Sequence, residues 1–186
     1  MCPQGVSFGS TLCSSAAGLG GRREPGGRVA VHAAPWFHVV AEPAALPVDL
    51  LLPGTGRTYV ARLDGREMRD ADAVFQQFYD ALRLPDYFGW NWDALSDSLR
   101  DLTWLATDHH VLIIEAADEV LPGDVCGQRR LFATLLRAGR RWSFTRKPEG
   151  TECGRLVVVM SCAAASVTPL KEQLRSCLEE ASRPPR

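Results

Sequence analysis

Long apolar runs are missing from this sequence. No stretch approaches the about 20 residues that cross a bilayer. The first residues also show no basic start followed by a sustained apolar segment. Neither a membrane anchor nor a signal peptide is therefore expected, and the chain reads as a cytoplasmic protein. A surplus of charge of one sign is missing too. With 21 basic residues against 22 acidic ones, the net charge of −1 selects no partner by itself. Six cysteines are present (Cys2, Cys13, Cys126, Cys153, Cys162 and Cys177), but no C-x-x-C pair or nearby ligand histidine accompanies them. A zinc site is not expected, and reduced thiols are. Cys162, directly after an apolar run, reads as a small core residue.

Several catalytic signatures are absent as well. The glycine-rich start lacks the G-K-[ST] ending of a phosphate loop, and no dinucleotide fingerprint follows the first strand-like run. No G-x-S-x-G elbow occurs. The pattern predicts no catalytic set, no cofactor and no metal, and the chain is not expected to be an enzyme.

With 46% hydrophobic residues in 186, the chain can bury one ordinary core. Residues 1–33, rich in glycine and serine, read as a disordered extension. Residues 34–57 read as an accessory segment, with a short strand over 36–40 and a proline-interrupted loop over 43–56. A compact unit follows over 58–161, then a C-terminal helix and tail over 162–186. Within the unit, Thr58–Leu63 reads as a strand and Asp64-Gly65 as a turn. A helix is expected over 71–83, capped by Asp70, with Ala73, Val74, Phe78, Ala81 and Leu82 inward. The continuous apolar runs Val111–Ile114 and Leu156–Met160 read as strands covered on both faces. A helix over 127–141, with Leu131, Leu135 and Leu136 inward, separates them, and Thr168 is a candidate cap for a last helix over 168–181. Alternating strands and helices predict an α/β fold, a small three-stranded parallel sheet flanked by helices. The accessory strand and the C-terminal helix are possible additions to it.

Residues 84–102 carry most of the functional signal. Asn91 is a candidate N-cap for a helix that carries Asp93, Asp97 and Asp101 at four-residue steps. At about 100° per residue these carboxylates share one narrow arc, with Trp92, Leu95, Leu99 and Leu102 on the opposite one. Like charges at this spacing cost a helix about 0.2–0.5 kcal/mol per pair, and an anion near the C-terminal end opposes the dipole. Arg100 points away from Asp101 and cannot neutralise all three. On helix statistics alone the row is a solvated acidic face. The loop before it shifts that reading. Pro85 closes the preceding helix, Gly89 is expected to lend the backbone freedom, and Tyr87, Phe88, Trp90 and Trp92 fall within six positions. So many aromatics cannot all face inward, and one or two are expected at the surface as interface anchors. Acids beside aromatics suit a basic protein, whereas RNA or DNA phosphates would be repelled.

The run Leu84-Pro85-Asp86-Tyr87-Phe88-Gly89, followed by Asn91, Asp93-Ala94-Leu95 and Asp97, resembles the signature of the barstar family, inhibitors of barnase-type ribonucleases. The resemblance extends over about residues 58–161 and implies a barstar-like domain. In that family the loop and helix plug the ribonuclease active site, and acidic side chains take the place of RNA phosphate. By position the resemblance implies a partner-binding surface of Tyr87, Gly89, Asn91, Asp93 and Asp97, with Asp97 deepest among the enzyme's cations. Trp90, Trp92 and Asp101 complete the candidate set from their place in the loop and the acid row. The implied partner is a basic ribonuclease or nuclease toxin, bound one-to-one as by an immunity protein, with no nucleic acid and no membrane. The chain also departs from the family. Ser96 stands where barstar has a large aromatic, Asp101 where it has glycine and Leu102 where it has tryptophan. Arg137-Ala138-Gly139-Arg140 occupies the stretch in which the third helix normally offers an acid.

Charge is distributed unevenly. Residues 64–101 hold nine acids against four arginines, a net of −5, while residues 128–186 hold twelve bases against five acids, a net of +7. An acidic side of this kind would steer a cationic partner. Two other readings use the same residues. Asp86, Asp93 and Asp97 could hold Mg²⁺ in a metal-dependent hydrolase or nuclease, or the scaffold could be an interaction module with no nuclease target. His109-His110, ahead of a strand, read as polar surface rather than ligands.

Overall fold

The computed structural model describes residues 36–42, 56–144 and 155–181. The expected extension over 1–33 and most of the loop over 43–56 lie outside the described residues. Four strands, β1 (Phe37–Ala41), β2 (Thr58–Asp64), β3 (His109–Glu115) and β4 (Arg155–Cys162), form one parallel sheet in the order β1-β4-β3-β2. The three expected strands are thus joined by the accessory one, which pairs with the outer side of β4. Helices α1 (Ala71–Leu82) and α2 (Trp92–Asp101) connect β2 to β3, α3 (Val125–Phe144) connects β3 to β4, and α4 (Val167–Ala181) follows β4.

Parallel register lines up rows of side chains that explain the unbroken apolar runs. Leu63, Ile114, Met160 and Val39 form one row, and Ala61, Leu112, Val158 and Phe37 form the next. Both rows belong to the main core, to which all four helices contribute. On the alternate parity Val111, Ile113, Val157 and Val159 make a second buried cluster with Val40 against it. Burial on both parities is what removes polar residues from these strands.

Three details differ from the sequence reading. In α1 Phe75 is buried and Ala73 and Ala81 are only half-buried, so the stripe is wider and more aromatic than its aliphatic positions suggest. Thr168 lies inside α4, which starts at Val167 directly after a 3₁₀ turn over Ala164–Ser166. His109 and His110 are not surface residues: both belong to β3 and are 1% exposed. The strand begins two residues earlier than its apolar run, which carries the pair inside. Burial is also the first cause that lowers the His110 pKa, to about 4. Cys162, the last residue of β4, is a core residue whose thiol burial pushes up to about 11.

Gly65, after β2, is required by a close approach. A Cβ there would collide with the backbone carbonyls of Glu115 and Ala116 at the end of β3.

Candidate functional site

The site is assembled from the end of α1, the loop over 83–91 and α2. All four C-terminal carbonyls of α1 have partners, and these fix where the loop departs. Leu84 N–H donates to Tyr79 O and Arg83 N–H to Asp80 O. The Tyr59 hydroxyl from β2 donates to Ala81 O at 2.8 Å, and Trp104 Nε1 from the turn after α2 donates to Leu82 O at 3.0 Å. Such carbonyls are otherwise orphaned at a helix end. Two amphipathic aromatics thus tie the sheet and the segment after α2 to the same point.

The loop aromatics divide between core and surface. Phe88 is 5% exposed and lies near Phe75 and Tyr79 of α1, with ring centroids 6.3 and 6.4 Å away. Trp92 is half-buried, edge-on to Phe75 at 5.0 Å. Trp90 remains 45% exposed and stacks on Tyr79 at 5.0 Å, while Tyr87 is 83% exposed. The Tyr79 hydroxyl donates to Asp86 Oδ1 at 3.2 Å, and that bond to a carboxylate is the first cause that raises the tyrosine pKa. Phe75 and Tyr79, four residues apart on α1, are the platform beneath the loop. Sequence reasoning passed over both, although their helical spacing just ahead of an aromatic loop is the signal that reveals them.

Gly89 does not supply the expected freedom, for it has no positive φ; the left-handed residue is Trp90, at φ +49°. What Gly89 provides is room, since a Cβ would stand 3.3 Å from both Ala94 Cβ and Asn91 Nδ2. Asn91 caps α2 as expected, accepting from Ala94 N–H at 2.8 Å, and its Nδ2 donates back to Gly89 O at 2.9 Å. One side chain therefore fixes both loop and helix.

On α2, Leu95 and Leu99 are buried, as is Leu102, the left-handed residue that ends the helix. Trp142 Nε1 of α3 donates to Leu99 O at 2.9 Å and fastens the end of α2 to the bundle. Asp93, Asp97 and Asp101 are all exposed on the opposite side. Arg100 reaches back only to Asp97, at 3.7 Å, with the two side chains 48% and 79% exposed. An exposed pair of that length is worth little, so Arg100 offsets the row of carboxylates only weakly. Tyr87, Gly89, Trp90, Asn91, Asp93, Asp97 and Asp101 are all exposed, and Trp92 alone of the candidate residues is half-buried.

The metal reading finds no matching geometry. Among the described residues no three His, Cys, Asp or Glu side chains converge to hold an ion, and Asp86 is engaged by Tyr79. Nor is any helix among the described residues long and apolar enough to cross a membrane.

Beside the ridge, α2 and α3 enclose a groove of about 390 Å³. Asn91, Trp92, Asp93 and Ser96 form one wall, and Arg130, Thr134 and Arg137 of α3 form the other.

No match was found among curated proteins. Residues 58–161, more than half of the chain, match the family model described as Barstar (barnase inhibitor). That span begins at β2, ends within β4 and contains the aromatic loop, its α1 platform and the acid ridge. With the parallel sheet and the loop–helix signature in place, the chain belongs to the barstar family.

Proposed function

We propose that this protein inhibits a basic ribonuclease, or a related nuclease toxin, by one-to-one occlusion of its active site. Asp93, Asp97 and Asp101 stand in for RNA phosphates, while Tyr87 and Trp90 supply aromatic contact beside them. The observation that carries this reading is the exposed carboxylate row on a helix whose leucine back, Leu95 and Leu99, is buried, next to two exposed aromatics. A rigid anionic surface presents charge to an incoming cationic cleft with little ordering cost on binding. Tyr87, Gly89, Trp90, Asn91, Trp92, Asp93, Asp97 and Asp101 form the proposed contact surface.

Inhibition of RNA cleavage is tested with purified barnase and with small basic ribonucleases from the protein's native host. Asp97→Ala is expected to weaken binding by about 2–5 kcal/mol, mostly through faster dissociation; the barnase–barstar pair itself contributes to the measurements behind that range. Unchanged affinity in the variant, read by stopped-flow association and dissociation, removes Asp97 from this role.

A further inference from the structure

The surface that accompanies the acid ridge is not uniformly acidic. Arg130 and Arg137 lie seven residues apart on α3, which returns them to nearly the same side of the helix. Thr134 sits between them and is 3% exposed, so the groove has a polar floor flanked by two guanidinium groups. Among the described residues, neither arginine forms an ion pair with a carboxylate within 4.0 Å, although Asp93 lines the facing wall. Arg137 Nε donates to Ala133 O at 3.1 Å, which steadies the side chain along its own helix. An anionic ridge thus runs directly beside a cationic groove.

We infer that this groove receives a carboxylate side chain of the partner, so that the protein selects a nuclease whose rim pairs a cationic patch with an adjacent acid. The inference rests on the inhibitor reading above and specifies its target. Charge complementarity decides the occupant. A uniformly basic rim, settled on Asp93 and Asp97, brings like charge against Arg130 and Arg137, and such juxtapositions act strongly against a wrong partner. A carboxylate is planar and accepts two parallel bonds from a guanidinium, which matches the donors on this wall. Asp93 on the opposite wall then engages the neighbouring cation of the same partner.

The test uses the full chain and barnase as a basic probe. The double variant Arg130→Glu/Arg137→Glu is expected to bind barnase at least about ten-fold more tightly than the unaltered chain, with the gain shrinking at high salt. Arg130→Ala/Arg137→Ala is expected to fall between the two. Both arginines are exposed, and circular dichroism with thermal melting checks that the fold is kept. Equal or weaker binding by the glutamate variant, or binding by neither protein, overturns the inference. Asp97→Ala, introduced into whichever chain binds, separates the two readings. If it weakens binding while the arginine variants change nothing, the ridge reading stands and the groove inference falls. If it changes nothing, the ridge reading falls.

Discussion

Trp90 combines two features that rarely coincide, a left-handed backbone at φ +49° and a large side chain. That region costs a residue with a Cβ about 1–2 kcal/mol. Here the stack on Tyr79 and the Asn91 cap hold it in place. The strain falls at the junction of the aromatic loop and the acid helix, where a fixed geometry serves binding. His110 is the second residue with a cost attached. Its ring lies 5.0 Å from that of Trp142, its Nε2 meets the Thr107 hydroxyl at 3.1 Å, and its pKa is about 4 against an ordinary 6.5. The folded chain binds this proton more weakly than the unfolded one, so acid favours unfolding. The stability tied to neutral His110 is intact above about pH 6.5 and is lost as pH falls from there toward 4. The loss reaches up to about 3 kcal/mol at the lower end. Urea unfolding at several pH values checks it. His110→Asn is expected to flatten the pH dependence across that window, and an unaltered slope would assign acid sensitivity to other groups.

Between elements, aromatic donors act as fasteners. Tyr59, Trp104 and Trp142 each give a polar hydrogen to a carbonyl near the end of α1 or α2. Trp142→Phe keeps much of the ring packing but leaves Leu99 O without its donor. It is expected to cost about 1–3 kcal/mol of stability, seen as a lower urea midpoint with an unchanged slope. These fasteners also mark where the sequence stops being legible. Asn91 and Asp70 caps depend on local pattern, and both are visible in the chain as written. The acid arc and its leucine back follow from helical spacing alone, and the family signature lies within a contiguous run. The groove is different, because it joins residues about forty positions apart whose meeting depends on how α3 packs on α2. The Phe75–Tyr79 platform hid inside an ordinary amphipathic helix. The histidine pair reads as surface in the sequence because polar residues at a strand end look like loop residues until the ladder shows otherwise.

At the scale of the molecule, β1 and α4 enlarge the family-matched unit on the side of β4. The matched span begins at β2, yet β1 adds five residues of parallel ladder to β4. Phe37 and Val39 complete two rows of the core at 1% and 3% exposure. Glu42 closes the arrangement, accepting from Ala116 N–H at 3.2 Å and from the Ser161 hydroxyl at 3.0 Å, which links the ends of β1, β3 and β4. A strand held this way is part of the cooperative core rather than a decoration, because removing its side chains opens a cavity between the sheet and the helices. Phe37→Ala is accordingly expected to destabilise the protein by about 3–5 kcal/mol. Thermal and urea unfolding of the full chain measure this directly. A loss under about 1 kcal/mol would mean that the 58–161 unit is stable without its fourth strand. A loss in the expected range makes the whole parallel sheet the platform on which the acid ridge and its groove are held.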